Sequence, residues 1–154
     1  MIGLEDTEED DNSWVAIGFA PTQKMDNSDI YYCRKSAETI AVVSAFAPQN
    51  TRPTDDAAGA GIEVTSVGTS SSGSTFSCSF SRPITVMKND IEFKLDDGNT
   101  FFVLLARGSG GSLEAPGYHG AGKRASTEGI AFSEEMEIIF PDAPIQEGTL
   151  PANQ

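Results

Sequence analysis

The stretch that decides the fold is TFSCSF at residues 75–80, which Ser81 follows. Its apolar side chains, Phe76, Cys78 and Phe80, fall on one face of an extended chain, and its serines fall on the other face. This period of two is typical of a β-strand with one buried face, because successive side chains in a strand point in opposite directions. Residues 91–96 (IEFKLD) repeat the pattern, so two strands of this kind are predicted.

Strand patterns separated by Gly, Ser, Pro and Asp clusters run along most of the remaining chain. They lie at residues 14–19, 30–33, 39–46, 62–67, 84–86, 100–106 and 135–140. Residues 100–106 (TFFVLLA) are apolar throughout and predict a central strand covered on both faces. The turn sequence DDGN at residues 96–99 predicts a hairpin between the strands that flank it, since Asp-Gly accommodates positive φ. With helical periodicity nearly absent, the pattern predicts an all-β protein, an antiparallel β-sandwich.

The length of 154 residues indicates one domain. We expect the sandwich to occupy residues 1–140, and the first four residues read like the tail of a strand that begins earlier. Residues 141–154 contain three prolines and few apolar side chains, which predicts a linker or tail.

Charge excludes two classes of partner. The chain has 23 acidic and 10 basic side chains, a formal net charge of −13. Nucleic acid and anionic lipid both require a basic surface, so neither is expected. No apolar stretch approaches the ~20 residues of a membrane span, and no signal peptide is recognisable. Residues 1–12 and 134–154 hold many of the acids and no base, and we interpret them as solvated flanks.

The two cysteines, Cys33 and Cys78, both fall in predicted strands. They form either a disulfide between strands or two reduced, buried thiols, and we favour the disulfide. Zinc would need about four ligands and is not expected. A disulfide that closes this loop stabilises the fold by roughly 4 kcal/mol on the chain-entropy model, and it implies an oxidising compartment.

Met25 and His119 are the candidate metal-ligating pair. Met25 lies in a polar turn (QKMDNSD), where nothing requires a methionine, and His119 is the sole histidine, in the Gly-rich loop at residues 108–122. Met25 alone is ordinarily a partly exposed side chain that caps the end of the core, and His119 alone is ordinarily a solvent-exposed loop histidine. Together, a thioether and an imidazole from separate loops can ligate haem iron on opposite faces, which leaves no site for oxygen and favours electron transfer.

Other chemistries fit the sequence poorly. The stretch GYHGAGK at residues 117–123 is followed by Arg124 where a P-loop needs Ser or Thr, and no Gly-x-Ser-x-Gly elbow is present. The acidic cluster DNSD at residues 26–29 lacks the spacing of a calcium loop and is interpreted as a turn.

These residues resemble the DOMON domain family. The landmarks are WVAIGF at 14–19, Met25, SDI at 28–30, CSFSRP at 78–83, FFVLLARG at 101–108, and Tyr118-His119 with the following GKRAS. They occur in the expected order over roughly residues 14–130.

The resemblance implies an immunoglobulin-like β-sandwich that binds haem or sugars. In cytochrome members, such as the cytochrome domain of cellobiose dehydrogenase, a Met and a His hold non-covalent haem b, and these positions correspond to Met25 and His119. Lys123 and Arg124 are then candidates to pair with the haem propionates. Trp14, Phe19, Phe101 and Tyr118 are candidates for the apolar walls, although core packing would also explain them.

The resemblance also implies a setting. Proteins of the ferric-chelate-reductase type place a DOMON domain beside a transmembrane b-type cytochrome, on the extracellular or lumenal side of a membrane. We therefore expect an electron carrier within a larger transmembrane redox protein, with no substrate chemistry required of this domain. The alternative is a haem-free β-sandwich that recognises sugars or catechols or mediates adhesion, for which exposed aromatic side chains lining a groove are expected.

Overall fold

The computed structural model describes residues 1–7, 12–37, 39–49, 51–55, 61–69, 75–96, 98–109, 111–112, 115–116 and 123–132. For residues 6, 7, 69, 111, 112, 115, 116 and 124 it describes the backbone alone. The described residues form fourteen strands: β1 (Ile2–Thr7), β2 (Ser13–Ala20), β3 (Ser28–Ser36), β4 (Thr39–Ala47), β5 (Thr54–Asp55), β6 (Glu63–Thr69), β7 (Thr75–Ser81), β8 (Thr85–Lys88), β9 (Ile91–Lys94), β10 (Thr100–Ser109), β11 (Gly111–Ser112), β12 (Ala115–Pro116), β13 (Lys123–Ala125) and β14 (Ile130–Ala131).

The strands form two principal sheets, in which neighbouring strands are antiparallel. The smaller sheet has the order β1-β7-β6. The larger, seven-stranded sheet has the order β13-β10-β2-β3-β4-β5, with β14 also paired to β10. Strands β8 and β9 form a separate two-stranded ribbon, as do β11 and β12. The predicted all-β sandwich is confirmed.

The core lies between the two sheets and is built from alternating residues. The larger sheet contributes Val15, Ile17, Phe19, Tyr31, Cys33 and Val103, and the smaller sheet contributes Leu4, Phe76, Cys78 and Phe80. In β7 the three apolar side chains are fully buried while the serines between them are half-buried, as the period of two predicts. The stretch at residues 75–81 therefore forms the middle strand of the smaller sheet and supplies its inner face.

A disulfide joins the two sheets through this core. It links Cys33 of β3 to Cys78 of β7, with a Cα–Cα distance of 6.0 Å, and closes a loop of 45 residues. The disulfide is thus the alternative that the structure supports over two reduced thiols.

A buried cluster of charged side chains lies at one end of the core. Asp29 is fully buried and forms ion pairs with Lys88 and with Arg82, whose Nη2 lies 3.4 Å from Asp29 Oδ2. The Tyr31 hydroxyl donates a hydrogen bond to Asp29 Oδ2 (3.0 Å) and accepts one from Arg82 Nε (2.9 Å). Burial, together with the charge of Asp29, raises the pKa of Tyr31. The carboxylate of Asp29 therefore stabilises the fold. The interpretation of residues 26–29 as a turn holds for Asp26 and Asn27, whereas Ser28 and Asp29 begin β3.

The structure corrects the predicted hairpin. Three of the four residues predicted to form the turn are described, and they are joined by hydrogen bonds: Gly98 N–H donates to Asp96 Oδ1 (3.1 Å), and Asn99 Nδ2 donates to the same oxygen (2.8 Å). However, β9 pairs with β8, whereas β10 pairs with β2, β13 and β14. The turn carries the chain from the ribbon into the seven-stranded sheet, so the hairpin prediction was wrong.

The strands that are buried on both faces are β2 and β3. Every residue of β2 is buried, and so is every residue of β3 except Ser36. In β10, which was predicted to be covered on both faces, Val103 is buried and the other side chains are half-buried or exposed. The predicted strand at residues 135–140 and the predicted linker at residues 141–154 lie outside the described residues.

Candidate functional site

The seven-stranded sheet carries a second apolar cluster on the face opposite the core. Its buried members are Trp14 and Ala16 on β2, Ile30 and Tyr32 on β3, and Ala45 and Ala47 on β4. Because side chains alternate along a strand, these residues point away from Val15, Ile17 and Tyr31, which face the core. We call this surface the distal face.

Met25 contacts the distal face from the loop between β2 and β3. Its side chain is half-buried and packs, together with Ala106 of β10, against the distal-face cluster. Gln23 anchors the loop, because its Nε2 donates hydrogen bonds to the carbonyl oxygens of Ser126 (3.0 Å) and Thr127 (3.2 Å). The thioether of Met25 is therefore held against an apolar face by a loop with its own tertiary contacts.

Much of the distal face carries small side chains. Ala16 on β2, Ala106 on β10, and Ala45 and Ala47 on β4 contribute only methyl groups, while β3, between β2 and β4, contributes Ile30 and Tyr32. Large rings are confined to Trp14 and Tyr32 within this cluster. The distal face is therefore apolar, with small side chains on both sides of the larger ones of β3, and an apolar lining of this kind is typical of a small-molecule site.

Trp14 lies against the sheet because a glycine stands opposite it. Gly108 of β10 is the register partner of Trp14. A Cβ atom at position 108 would lie 2.8 Å from Trp14 Cζ2 and 3.2 Å from Trp14 Nε1. Glycine at this position is therefore required for the indole ring to occupy its site, where the residue is only 3% exposed.

Tyr32 connects Trp14 to a buried arginine. The Trp14 and Tyr32 rings meet edge to face, with centroids 5.7 Å apart. The Tyr32 ring also makes a cation–π contact with Arg34, whose guanidinium carbon lies 4.8 Å from the ring centroid. Arg34 Nη2 then donates to Asp55 Oδ1 at 2.7 Å. Burial raises the pKa of Tyr32, so its hydroxyl stays neutral at physiological pH.

Two buried N–H groups in this cluster have no acceptor in the described part of the chain. They are the indole Nε1–H of Trp14 and the Nε–H of Arg34. Trp14 and Arg34 are directly paired in the β2–β3 register, so both stand on the distal face. Buried donors normally find a partner, because burying one without an acceptor costs about 1–3 kcal/mol. Their arrangement favours a ligand that brings acceptor atoms.

The predicted wall residues divide between the two faces. Trp14 belongs to the distal-face cluster against which Met25 packs. Phe19 lies in the core between the sheets, 6.4 Å from the ring of Tyr31. Phe101 packs against the same core and lies 5.9 Å from the ring of Phe93. The structure therefore places Trp14 in the cluster against which Met25 packs, and places Phe19 and Phe101 on the opposite side of the sheet.

Only part of the predicted ligand-binding loop can be located. Lys123 begins β13, is half-buried, and is the register partner of Ala106, which packs on the distal face. His119 and Tyr118 lie outside the described residues, and so does the side chain of Arg124. Lys123, a predicted propionate partner, is therefore in register with Ala106 of β10, which is in turn in register with Ala16 of β2.

Among the described residues, no three His, Cys, Asp or Glu side chains are grouped so as to hold a metal ion. In that same part of the chain, no helix has the length and apolar character needed to cross a membrane.

Comparison with known proteins identifies the family. The sequence matches the DOMON domain over residues 2–108, which is more than half of the chain. The chain belongs to the DOMON family. DOMON domains are typically extracellular. No curated protein sequence matches this DOMON domain.

A solved structure supports the fold. This DOMON domain is similar to the cytochrome domain of cellobiose dehydrogenase from Myriococcum thermophilum, with a TM-score of 0.56 and 16% sequence identity. The match covers 70% of this chain and 51% of that one, so the chain spans about half of the known structure. At this level of identity the similarity establishes the sandwich fold.

Sequence reasoning missed Arg34 and Asp55 as members of the site. A usable signal was present, because Ile30, Tyr32 and Arg34 alternate along β3 and therefore share a face. The partnership with Asp55 had no local signal, since the two residues are 21 positions apart and meet only through the pairing of β4 with β5.

Proposed function

We propose that this DOMON domain is a haem b electron-transfer module in which Met25 and His119 supply the axial ligands. The observation that carries the proposal is the position of Met25, a half-buried thioether packed on the distal face by an anchored loop. A methionine there has no structural necessity as a turn residue, and thioether sulfur is an established haem ligand. Membership of a family with cytochrome members and the likeness to a cytochrome domain add support.

The described residues fit a haem on three physical grounds. The distal-face cluster is apolar and contains several small side chains, as the lining of a porphyrin site requires. Met25 contacts that surface from a loop rather than from the sheet, so its sulfur is carried by a separate element. The buried N–H groups of Trp14 and Arg34 are donors for the carboxylates that a haem carries.

When bound, the haem iron supplies one-electron redox chemistry. Met25 and His119 would hold the iron through the thioether and the imidazole, which would leave oxygen no binding site and raise the reduction potential. The apolar side chains of the distal face would exclude water from the ring.

The redox partner in this proposal is a transmembrane b-type cytochrome domain of the same parent protein. The DOMON domain then lies on the extracellular or lumenal side of the membrane. The disulfide between Cys33 and Cys78 supports this location, because such bonds persist in oxidising compartments. Within this arrangement the domain carries electrons to a chelated metal or a quinone and catalyses no reaction of its own.

A titration of the purified protein with haem b, followed by visible absorption, tests the proposal. Wild type is expected to bind haem and to give a low-spin spectrum in the reduced state. Met25→Ala and His119→Ala are each expected to lose the low-spin spectrum, because each removes one axial ligand. Met87→Ala is the matched control, since Met87 is 60% exposed on β8 and is expected to leave the spectrum unchanged.

Failure of wild type to bind haem contradicts the proposal. So does a low-spin spectrum that survives both ligand substitutions, because the iron would then be held by other residues. A loss of the spectrum in Met87→Ala equal to that in Met25→Ala would indicate a nonspecific effect of removing a methionine, and would also count against the assignment.

The haem-free alternative receives no comparable support. A sugar-binding module was expected to expose aromatic side chains along a groove. In the described part of the chain every Trp, Tyr and Phe side chain is buried or half-buried, including Trp14 and Tyr32 on the distal face. The large apolar side chains that are exposed there are aliphatic or methionine.

A further inference from the structure

Two buried N–H donors on the distal face indicate what the site binds, an inference that rests on the proposed function. Trp14 Nε1–H and Arg34 Nε–H are both buried and both lack an acceptor in the described residues. Trp14 is 3% exposed and the side chain of Arg34 is 2% exposed, so bulk water does not hydrate them freely. A ligand that supplies acceptor atoms at these two positions recovers the free energy that burial of the donors costs.

Only some of the N–H donors of the Arg34 guanidinium form hydrogen bonds with described residues of the protein. Its terminal nitrogens point to Asp55, with Nη2 at 2.7 Å from Oδ1 and Nη1 at 3.5 Å from Oδ2. The Nε–H remains, and a guanidinium offers its donors in a fixed plane that matches carboxylate geometry. The side chain of Asp55 is one-third exposed, whereas that of Arg34 is buried, so solvent reaches the ion pair through Asp55.

The local charge favours an anion. The described charged side chains that act on the Tyr32 hydroxyl are Arg34, Arg52 and Asp55, two cations against one anion. Arg52 is exposed and precedes β5, on which Asp55 lies. Among the described side chains, those that act on Tyr32 thus have a surplus positive charge, in a chain whose formal net charge is −13. A carboxylate here would be bound by charge and by directed hydrogen bonds together.

The positions are compatible with the proposed haem. Trp14 and Ala16 follow one another on the same face of β2, roughly 7 Å apart along the strand, and both belong to the cluster against which Met25 packs. Trp14 and Arg34 are directly paired in the β2–β3 register, so both donors lie at the same end of the distal face.

We infer that Trp14 and Arg34 form a carboxylate-binding subsite that recognises the haem propionates. Trp14 Nε1–H and Arg34 Nε–H donate to propionate oxygens, while Tyr32 positions both groups by ring contacts. Trp14 is thereby a hydrogen-bond donor to the ligand as well as an apolar wall, and Arg34 is a propionate partner in addition to Lys123 and Arg124.

A pair of ligands that differ only in their carboxylates tests the inference. Iron protoporphyrin IX and its dimethyl ester share the ring and the iron, but the ester has no propionate charge. Wild type is expected to bind the free acid at least tenfold more tightly than the ester, since a hydrogen bond to a charged group contributes about 1.5–3 kcal/mol. Affinities are measured by absorbance titration and, in wild type, by quenching of Trp14, the sole tryptophan.

Two substitutions then assign the preference to named atoms. Trp14→Phe keeps an aromatic ring and removes the indole N–H, and Arg34→Lys keeps the charge and removes the Nε–H fork. Each is expected to reduce the preference for the free acid by about tenfold while leaving the affinity for the ester unchanged. Lys94→Gln is the control, because this half-exposed lysine on β9 pairs with Asp96 and lies outside the distal-face cluster.

The outcomes separate the inference from the proposed function. Equal affinity of wild type for the acid and the ester, with a low-spin spectrum for both, overturns the subsite and leaves the haem proposal standing. Absence of binding to either porphyrin overturns both. A variant that loses affinity for acid and ester in the same proportion counts against the subsite, because a damaged fold and not a missing hydrogen bond explains such a loss. The wild-type comparison needs no variant to fold.

Discussion

Trp14 is placed by what faces it rather than by its own preferences. The indole ring fits against β10 because position 108 has no Cβ atom, and the ring in turn contacts Tyr32. Through Tyr32 it is linked to Arg34 and so to Asp55. One glycine therefore supports an aromatic and charged cluster at the edge of the proposed ligand site.

Gly108→Ala is expected to displace Trp14. The added Cβ would lie 2.8 Å from Trp14 Cζ2, closer than real atoms approach, so the indole must move. The free energy of unfolding should fall by about 1–3 kcal/mol, as in other overpacked sites, and the fluorescence of Trp14 should shift to longer wavelength. Urea unfolding and emission spectra measure both effects.

Gly68→Ala is the matched control, because a Cβ atom at position 68 would meet nothing within 4 Å. Its stability is expected to equal or slightly exceed that of wild type. Equal stability of the two alanine variants would contradict the steric role of Gly108.

The two buried tyrosines predict a loss of stability at alkaline pH. Burial raises the pKa of Tyr31 and Tyr32 above the value of 10.0 for a free tyrosine. The unfolded chain therefore loses these protons first as the pH rises. Stability should be fully present below about pH 10 and should fall above it, by roughly 1.4 kcal/mol per tyrosine at about pH 11.

Urea unfolding of wild type and of the Tyr31→Phe/Tyr32→Phe double variant across this range is the measurement. The double variant is expected to be less stable at neutral pH, because it lacks the bonds of Tyr31 to Asp29 and Arg82. Its stability should nevertheless decline less steeply above about pH 10. A decline as steep as that of wild type would show that other groups cause the alkaline loss.

At the scale of the elements, a disulfide and a buried cluster of charged side chains link β3 to other parts of the sandwich. The disulfide joins β3 in one sheet to β7 in the other. The Asp29 cluster joins β3 to Lys88 on the β8–β9 ribbon and to Arg82 just after β7. β3 participates in both, which agrees with its almost complete burial.

Reduction of the disulfide is expected to lower the free energy of unfolding by about 4 kcal/mol. This figure follows from the entropy lost when two cysteines 45 positions apart in the chain are joined. Urea unfolding with and without dithiothreitol gives the difference. The Cys33→Ala/Cys78→Ala double variant is the control and should not respond to the reductant. Alkylation of both cysteines in unfolded, unreduced protein would contradict the bond.

The sequence predicted the strands better than it predicted their pairing. The alternation in β7 has a local cause, a single buried face, and the sequence predicted which side chains occupy that face. The turn at residues 96–99 was also predicted, but a turn specifies only that the chain reverses. The partner of β10 is β2, some ninety positions earlier in the chain, and no local pattern encodes that choice.

The same limit applied to the candidate site. Met25 had a local signal, a methionine in a polar turn, and the structure packs it on the distal face. Phe19 and Phe101 had only their hydrophobicity, which does not specify a face until the sheets are paired. The contact of Arg34 with Asp55 depends on β5, a strand too short to be predicted.

At the scale of the whole molecule, the two apolar clusters have different roles. The core between the sheets contains aromatic side chains and a disulfide, and it stabilises the fold. The distal face is lined with alanines beside unpartnered donors, and Met25 packs against it. A stable double layer with a distinct apolar face is a suitable support for a rigidly held redox group.

The visible absorption spectrum of the purified protein, reduced after addition of stoichiometric haem b and then exposed to carbon monoxide, tests the central claim most directly. Two protein ligands on the iron predict a low-spin, six-coordinate spectrum that carbon monoxide does not change. A spectrum of free haem, or a five-coordinate spectrum that shifts on addition of carbon monoxide, would contradict the assignment of Met25 and His119 as the axial pair.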